Sequence, residues 1–266
     1  MPSPTTPAHN LLLLATRFTR HTDALTAIQR DGTSPAAELS EQVTAAQRIA
    51  AAALDIMDDL NDQQMWHSPA IRSVYTRVRQ LAYMATGAAD HLLDAVDILL
   101  AFHEGVPAEE SGLVLTRHQA LSEAGRREYL ASILTSLGAA DCLKAAELYV
   151  TDRRRSIALP RPPALSPAQT AMLRAVAQGE VMIDRDKPSA HRLDIRLTIS
   201  TVRALESRSL VTREEYLPWS RAERVHLTQA GCRTLAAALG GPSPRPLTTL
   251  GPVSRPAATP TRTPSR

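Results

Sequence analysis

The chain has 266 residues, 44% hydrophobic but only 3% aromatic. Its core must therefore come from Ala, Leu, Val and Ile, which suits closely packed helices better than sandwiches or barrels. Cys142 and Cys232 stand far apart in sequence, so no disulfide framework or metal spacing follows, and a reducing compartment is the simpler reading. The net charge of +3 hides an asymmetry: residues 1–152 carry 11 Lys and Arg against 19 Asp and Glu, a net −8, and residues 153–266 carry 19 against 8, a net +11. An acidic half joined to a basic half points to a polyanion partner for the basic half, although an Arg-rich solvated surface gives the same count.

Residues 1–9 are expected to be a short disordered start. The run Leu11 to Ala15 is too short to cross a bilayer, and no basic segment precedes it, so neither a membrane span nor a secretory signal is expected and the chain is read as cytoplasmic. A first helix is predicted from Asn10, as N-cap, to Arg30, with Gly32 past its end and an apolar face of Leu11, Leu14, Phe18, Leu25 and Ile28 that also carries His21. A second starts at Ser34-Pro35 and presents Ala36, Leu39, Val43, Ala46, Ala50, Ala53, Met57 and Leu60. A third starts at Ser68-Pro69 and presents Ile71, Val74, Val78, Leu81, Ala85, Ala88, Leu92, Ala95, Leu99 and Phe102, with Gly105 as its stop. This 3–4 spacing favours coiled-coil-like packing, and a short loop at about 61–67 makes the pair an antiparallel hairpin. A fourth helix is predicted from about Ser122 to Leu137. Gly138 interrupts it, and a fifth runs from Ala139 to Asp152. Residues 10–152 thus read as a helical bundle domain.

Arg153-Arg154-Arg155 and the prolines at 160, 162 and 163 mark a linker over 153–165. A compact segment follows over 166–239. Residues 240–266 are rich in Pro, Thr and Arg with no acid, and are expected to be disordered. In the compact segment Ser166-Pro167 starts a helix that ends at Gly179, and Glu180 to Ile183 can form a short strand. Residues 184–197 fit either a β-hairpin or a short helix around Ala190 to Leu193. Ile199, Val202 and Leu205 share one helical face. Leu210 to Glu215 and Arg221 to Thr228 read as the strands of a hairpin, and Thr228 starts a last helix.

Two stretches carry a resemblance. "TVRALESRSLVTRE" is similar to the recognition helix and following strand of MarR-type and related winged-helix bacterial transcription regulators. "RVHLTQAGCRTLAAAL" resembles their second wing strand and the LT-x-x-G opening of the next helix. The likeness covers about 75 residues and implies a mainly α fold: an N-terminal bundle plus a C-terminal winged-helix domain with a small β-hairpin. It implies a regulator that binds double-stranded DNA. Ser200, Thr201, Arg203 and Ser207 would lie on the outward face of the recognition helix, Arg203 being suited to a bidentate guanine contact, and Arg213, Arg221 and Arg224 of the wing would lie near phosphates. The chain departs from the family in a helix about one turn shorter and in Ser209, which stands where glycine is usual.

The bundle would dimerise or hold a protein partner. The alternative is a non-enzymatic adaptor that uses a degenerate winged helix for protein contact, and a further reading is a regulator with a small molecule between bundle helices. No nucleotide-binding glycine loop, nucleophile elbow or zinc-protease signature occurs, so neither an enzyme nor a cofactor is expected. His91, Asp94 and Asp97, with His103-Glu104, have metal-like spacing but equally describe a solvated helix face. Asp58, Asp59 and Asp62 read as an acidic helix end.

Overall fold

The computed structural model describes residues 6–28, 35–63, 68–107, 114–156, 164–190, 197–216 and 222–239. The protein is mainly helical with a small antiparallel sheet. In chain order the elements are α1 (Pro7–Ala27), α2 (Pro35–Asn61), α3 (Pro69–Glu104), α4 (Arg117–Thr135), α5 (Gly138–Ser156), α6 (Pro167–Ala177), β1 (Val181–Asp184), β2 (Lys187–Ala190), α7 (Ile199–Glu206), β3 (Val211–Glu215), β4 (Ala222–Leu227) and α8 (Gln229–Ala238). The sheet order is β2-β1-β4-β3, and every pairing is antiparallel.

Side-chain caps set most of the helix starts. Ser68 accepts a hydrogen bond from the Ile71 amide at 3.1 Å, and Ser166 and Gln169 form a reciprocal capping box. Two starts correct the sequence expectation. Helix α1 begins at Pro7 with Thr6 as its cap, not at Asn10, so residues 7–9 are helical and buried. Asn10 instead donates to Asp59 at 2.8 Å. Helix α4 begins at Arg117 behind a Thr116–Gln119 capping box, a turn and more before Ser122. Helix α5 extends to Ser156, through part of the stretch expected to be linker. Ser34, Arg30, Gly32, the prolines of the linker and residues 240–266 lie outside the described residues.

The α2–α3 pair buries most of the predicted seam, with Ala36, Met57 and Phe102 only half-buried, and broadens it by Ile49 and Ile56 on α2 and by Ala82, Ala89 and Val96 on α3. Helix α3 is buried on more than one side because α4 and α5 pack against it as well. Asp94 of α3 meets Arg127 of α4 at 2.6 Å, Arg77 meets Asp141 of α5 at 2.8 Å, and Ser68 donates to Asp152 at 2.7 Å. On either side of the break at 136–137, α4 and α5 both run antiparallel to α3.

Helix α1 is buried on nearly all sides: Leu11, Leu12, Leu14, Ala15 and Phe18 are no more than 1% exposed. One of its faces packs on the bundle and another on the C-terminal elements. The largest apolar cluster accordingly runs without a gap from α1, α2, α3 and α5 into α6, β1, α7, β3, β4 and α8. Among the described residues, no helix is long and apolar enough to cross a membrane.

Candidate nucleic-acid interface

The C-terminal elements are organised around two tight turns and a close backbone approach. After α6, Gly179 takes φ +74 and lets the Glu180 amide reach back to the Ala175 carbonyl at 3.2 Å. After α7, the Leu210 amide bonds the Leu205 carbonyl at 3.0 Å in the same way, but the left-handed residue there is Ser209, φ +54. The LT-x-x-G stretch closes the module. Thr228 caps α8 by accepting from the Gly231 amide at 3.0 Å, and its hydroxyl donates to the Ser209 carbonyl at 2.6 Å. A Cβ on Gly231 would lie 1.9 Å from the Leu210 carbonyl oxygen, so any side chain there forces α8 off the β3 entry.

Helix α7 buries Val202 and Leu205 and leaves Ser200, Arg203 and Ser207 exposed. Its hydroxyls are partly committed: Ser200 and Thr201 share hydrogen bonds with the Thr198 hydroxyl at 3.1 and 2.9 Å, and Ser207 donates to the Ala204 carbonyl at 3.0 Å. Arg203 donates to Asp186, which lies in the β1–β2 turn, at 3.2 Å. Arg208 follows the helix and is exposed.

The hairpin β3–β4 does not gather its arginines on one face. Because side chains alternate along a strand, Arg213 and Arg224 point to opposite sides of the ladder. Arg213 is 21% exposed and turns to α7, where it binds Glu206 at 2.5 and 3.0 Å and Glu223 at 3.2 Å; those carboxylates hold its guanidinium firmly charged. Arg224 is 13% exposed and turns to α1. It holds Asp23 in a bidentate pair at 3.0 and 2.8 Å, donates to the Gly179 carbonyl at 2.7 Å and lies over the Tyr216 ring. Beside it Arg20 pairs with Glu214, whose carboxyl it holds below the usual range. His226, 3% exposed, is buried in this junction and pushed down to about 4 by desolvation, against the opposing pull of Glu214. Burial also raises Asp23, against the pull of Arg224. Arg221, and Pro218 and Trp219 at the hairpin tip, lie outside the described residues.

Among the expected site residues the structure thus groups Ser200, Arg203 and Ser207 on one exposed helix face, with Thr201 half-buried beside them. It places Arg213 in a carboxylate cage and Arg224 in the joint with α1. The positive charge is also less available than its sum suggests. Over residues 164–190, 197–216 and 222–239 there are eight basic and seven acidic side chains, a net +1. Arg153 bonds Gln63 at 2.9 Å, Arg154 bonds the Ala237 carbonyl at 2.7 Å, and Arg174 pairs with Glu147. Asp186 and Asp23, which set the state of Arg203 and Arg224, lacked any sequence signal, because their partners are distant in the chain.

A cleft of about 260 Å³ opens at the joint between Phe18, Asp23, Ser136, Gln178, Met182 and Arg224. Among the described residues no three His, Cys, Asp or Glu side chains come together as metal ligands. Comparison with family models, with curated proteins and with solved structures finds no match.

Proposed function

We propose that the C-terminal elements form a winged-helix-type module that binds double-stranded DNA through the outward face of α7, in a non-enzymatic regulator of transcription that works in the cytoplasm. The observation that carries this reading is the exposure of Ser200, Arg203 and Ser207 together on a capped helix set between two hairpins, with Arg208 exposed just beyond it. Such a face suits entry into a major groove, where Arg203 can reach guanine and the hydroxyls can reach phosphates. Because both faces of the described part of β3–β4 are engaged within the protein, α7 is the reading element among the described residues. The bundle would then dimerise or hold a partner. In support, Tyr129, Ile133 and Leu137 on the α4 side are 64%, 50% and 57% exposed at helical spacing.

The test is a salt series of duplex binding with a labelled random-sequence DNA. Wild-type protein is expected to bind at low salt, with affinity falling steeply as salt rises. Arg203→Ala with Arg208→Ala should lose at least tenfold. Arg224 is left intact, because its removal would disturb the joint with α1 rather than a DNA contact. Wild-type binding that the double substitution leaves unchanged overturns the reading.

The second reading, an adaptor that uses this module for protein contact, is favoured by the near-neutral charge of the described module. Absence of any duplex binding at the lowest salt selects it, because even sequence-independent binding appears there.

A further inference from the structure

Within α7, Arg203 is the only basic residue. Its guanidinium is engaged by the Asp186 carboxylate at 3.2 Å, and a guanidinium nitrogen of Arg213 stands 3.8 Å from the same oxygen. Asp186 does not arrive there by the reach of a long side chain. It sits in a two-residue turn closed by the Asp184–Lys187 pairing, with Arg185 and Asp186 both left-handed at φ 46 and 63. The turn backbone therefore sets where the carboxylate stands. The other carboxylates nearby, Glu206 and Glu223, are held by Arg213.

We propose that Asp186 is an affinity-setting residue of the DNA face: a built-in anion that competes with nucleic acid for Arg203. This rests on the DNA-binding reading above. When a phosphate or a guanine edge takes Arg203, the Asp186 carboxylate is left to Arg213, which already holds Glu206 and Glu223, so an uncompensated anion stays beside the incoming polyanion. Arg213 contributes as counter-ion to Asp186, Glu206 and Glu223, without touching DNA.

Asp186→Asn removes the charge and keeps a residue that tolerates left-handed backbone. Asp186→Gly suits the same turn by a different chemistry. Both full-length variants are titrated with a labelled random duplex over a salt series beside wild type, and their melting is recorded. The expected result is binding about two- to fivefold tighter near 50 mM salt, the scale of one exposed pair. The log–log salt slope should change by less than one, because Arg203 meets DNA in both proteins. Asp186→Asn made in the Arg203→Ala background should give no gain. Wild-type binding with unchanged or weaker affinity in both variants, or a gain that persists without Arg203, overturns the inference and leaves the DNA reading standing. Failure of wild type to bind at any salt overturns the DNA reading itself and the inference with it.

Discussion

Ser209 holds φ +54, the backbone that Gly179 supplies at the equivalent point after α6. A side chain in this region costs about 1 kcal/mol relative to glycine. The Ser209 side chain is exposed, and the bond from Thr228 is to its backbone carbonyl. Ser209→Gly should therefore stabilise the protein by about 0.5–1 kcal/mol, offset in part by a more flexible unfolded chain, and a rise in denaturant midpoint at constant slope checks it. The opposite is expected at Gly231, where the Leu210 carbonyl leaves no room for a Cβ. Gly231→Ala should cost about 1–3 kcal/mol or more, as overpacking against backbone does. Both positions were legible in part. The LT-x-x-G spacing announced a tight start to α8, and Ser209 stood out because glycine is usual there. The reason for Gly231, an approach to the Leu210 carbonyl just before β3, requires the tertiary structure.

At the scale of elements, the joint between α1 and β3–β4 decides how the protein responds to pH. His226 is buried and pushed down to about 4, and burial also lowers His21 and His9. A histidine whose folded value lies below its unfolded value of about 6.5 is protonated more readily in the unfolded chain. Its stabilising effect is complete above about pH 6.5 and is lost as pH falls toward 4. For His226 this amounts to about 3 kcal/mol at the acid end, and the other two act in the same direction. Urea titrations at about pH 7 and pH 5 should show the loss, and His226→Gln should flatten it; a slope unchanged in that variant would assign the effect to His9 and His21. The same joint contains the Asp23–Arg224 pair, with side chains 17% and 13% exposed. Asp23→Ala leaves a buried guanidinium without its carboxylate and should cost about 2–4 kcal/mol, whereas removing a surface pair costs much less.

Such elements are unevenly legible in the sequence, for physical reasons. Long helices with repeated 3–4 spacing and Ser-Pro starts were legible because the signal repeats over many turns. The same start signal was present at Thr6-Pro7, and a Thr-x-x-Gln box at Thr116, yet later polar residues competed with both. Strand β2 was ambiguous because an edge strand needs no apolar alternation: Lys187-Pro-Ser-Ala190 carries none, and Pro188 is tolerated at an edge. The candidate site was legible as a helix face but not as an electrostatic surface. Ion pairs such as Arg224–Asp23 join positions about 200 residues apart, and no local pattern encodes them.

At the scale of the whole molecule, the place of α1 makes the N- and C-terminal parts interdependent. Four consecutive leucines could not be explained by one amphipathic face, since a helix has only one stripe toward a single neighbour. They are needed because α1 has neighbours on both sides, the bundle on one and α6, β4 and α8 on the other. The same arrangement covers the second face of the β3–β4 ladder. It follows that the two parts should unfold together, although the sequence divides them by composition and charge. Phe18, fully buried against Gly138 and lining the joint, is the residue on which to test this. Phe18→Ala should cost about 3–5 kcal/mol. In calorimetry the wild type should give a single transition whose calorimetric and van't Hoff enthalpies agree, and the variant should move that whole transition down without splitting it. Two transitions in the wild type, with Phe18→Ala shifting only the one that reports the bundle, would show that the C-terminal module is held by its own core and that the α1 contact is a dock rather than a shared interior.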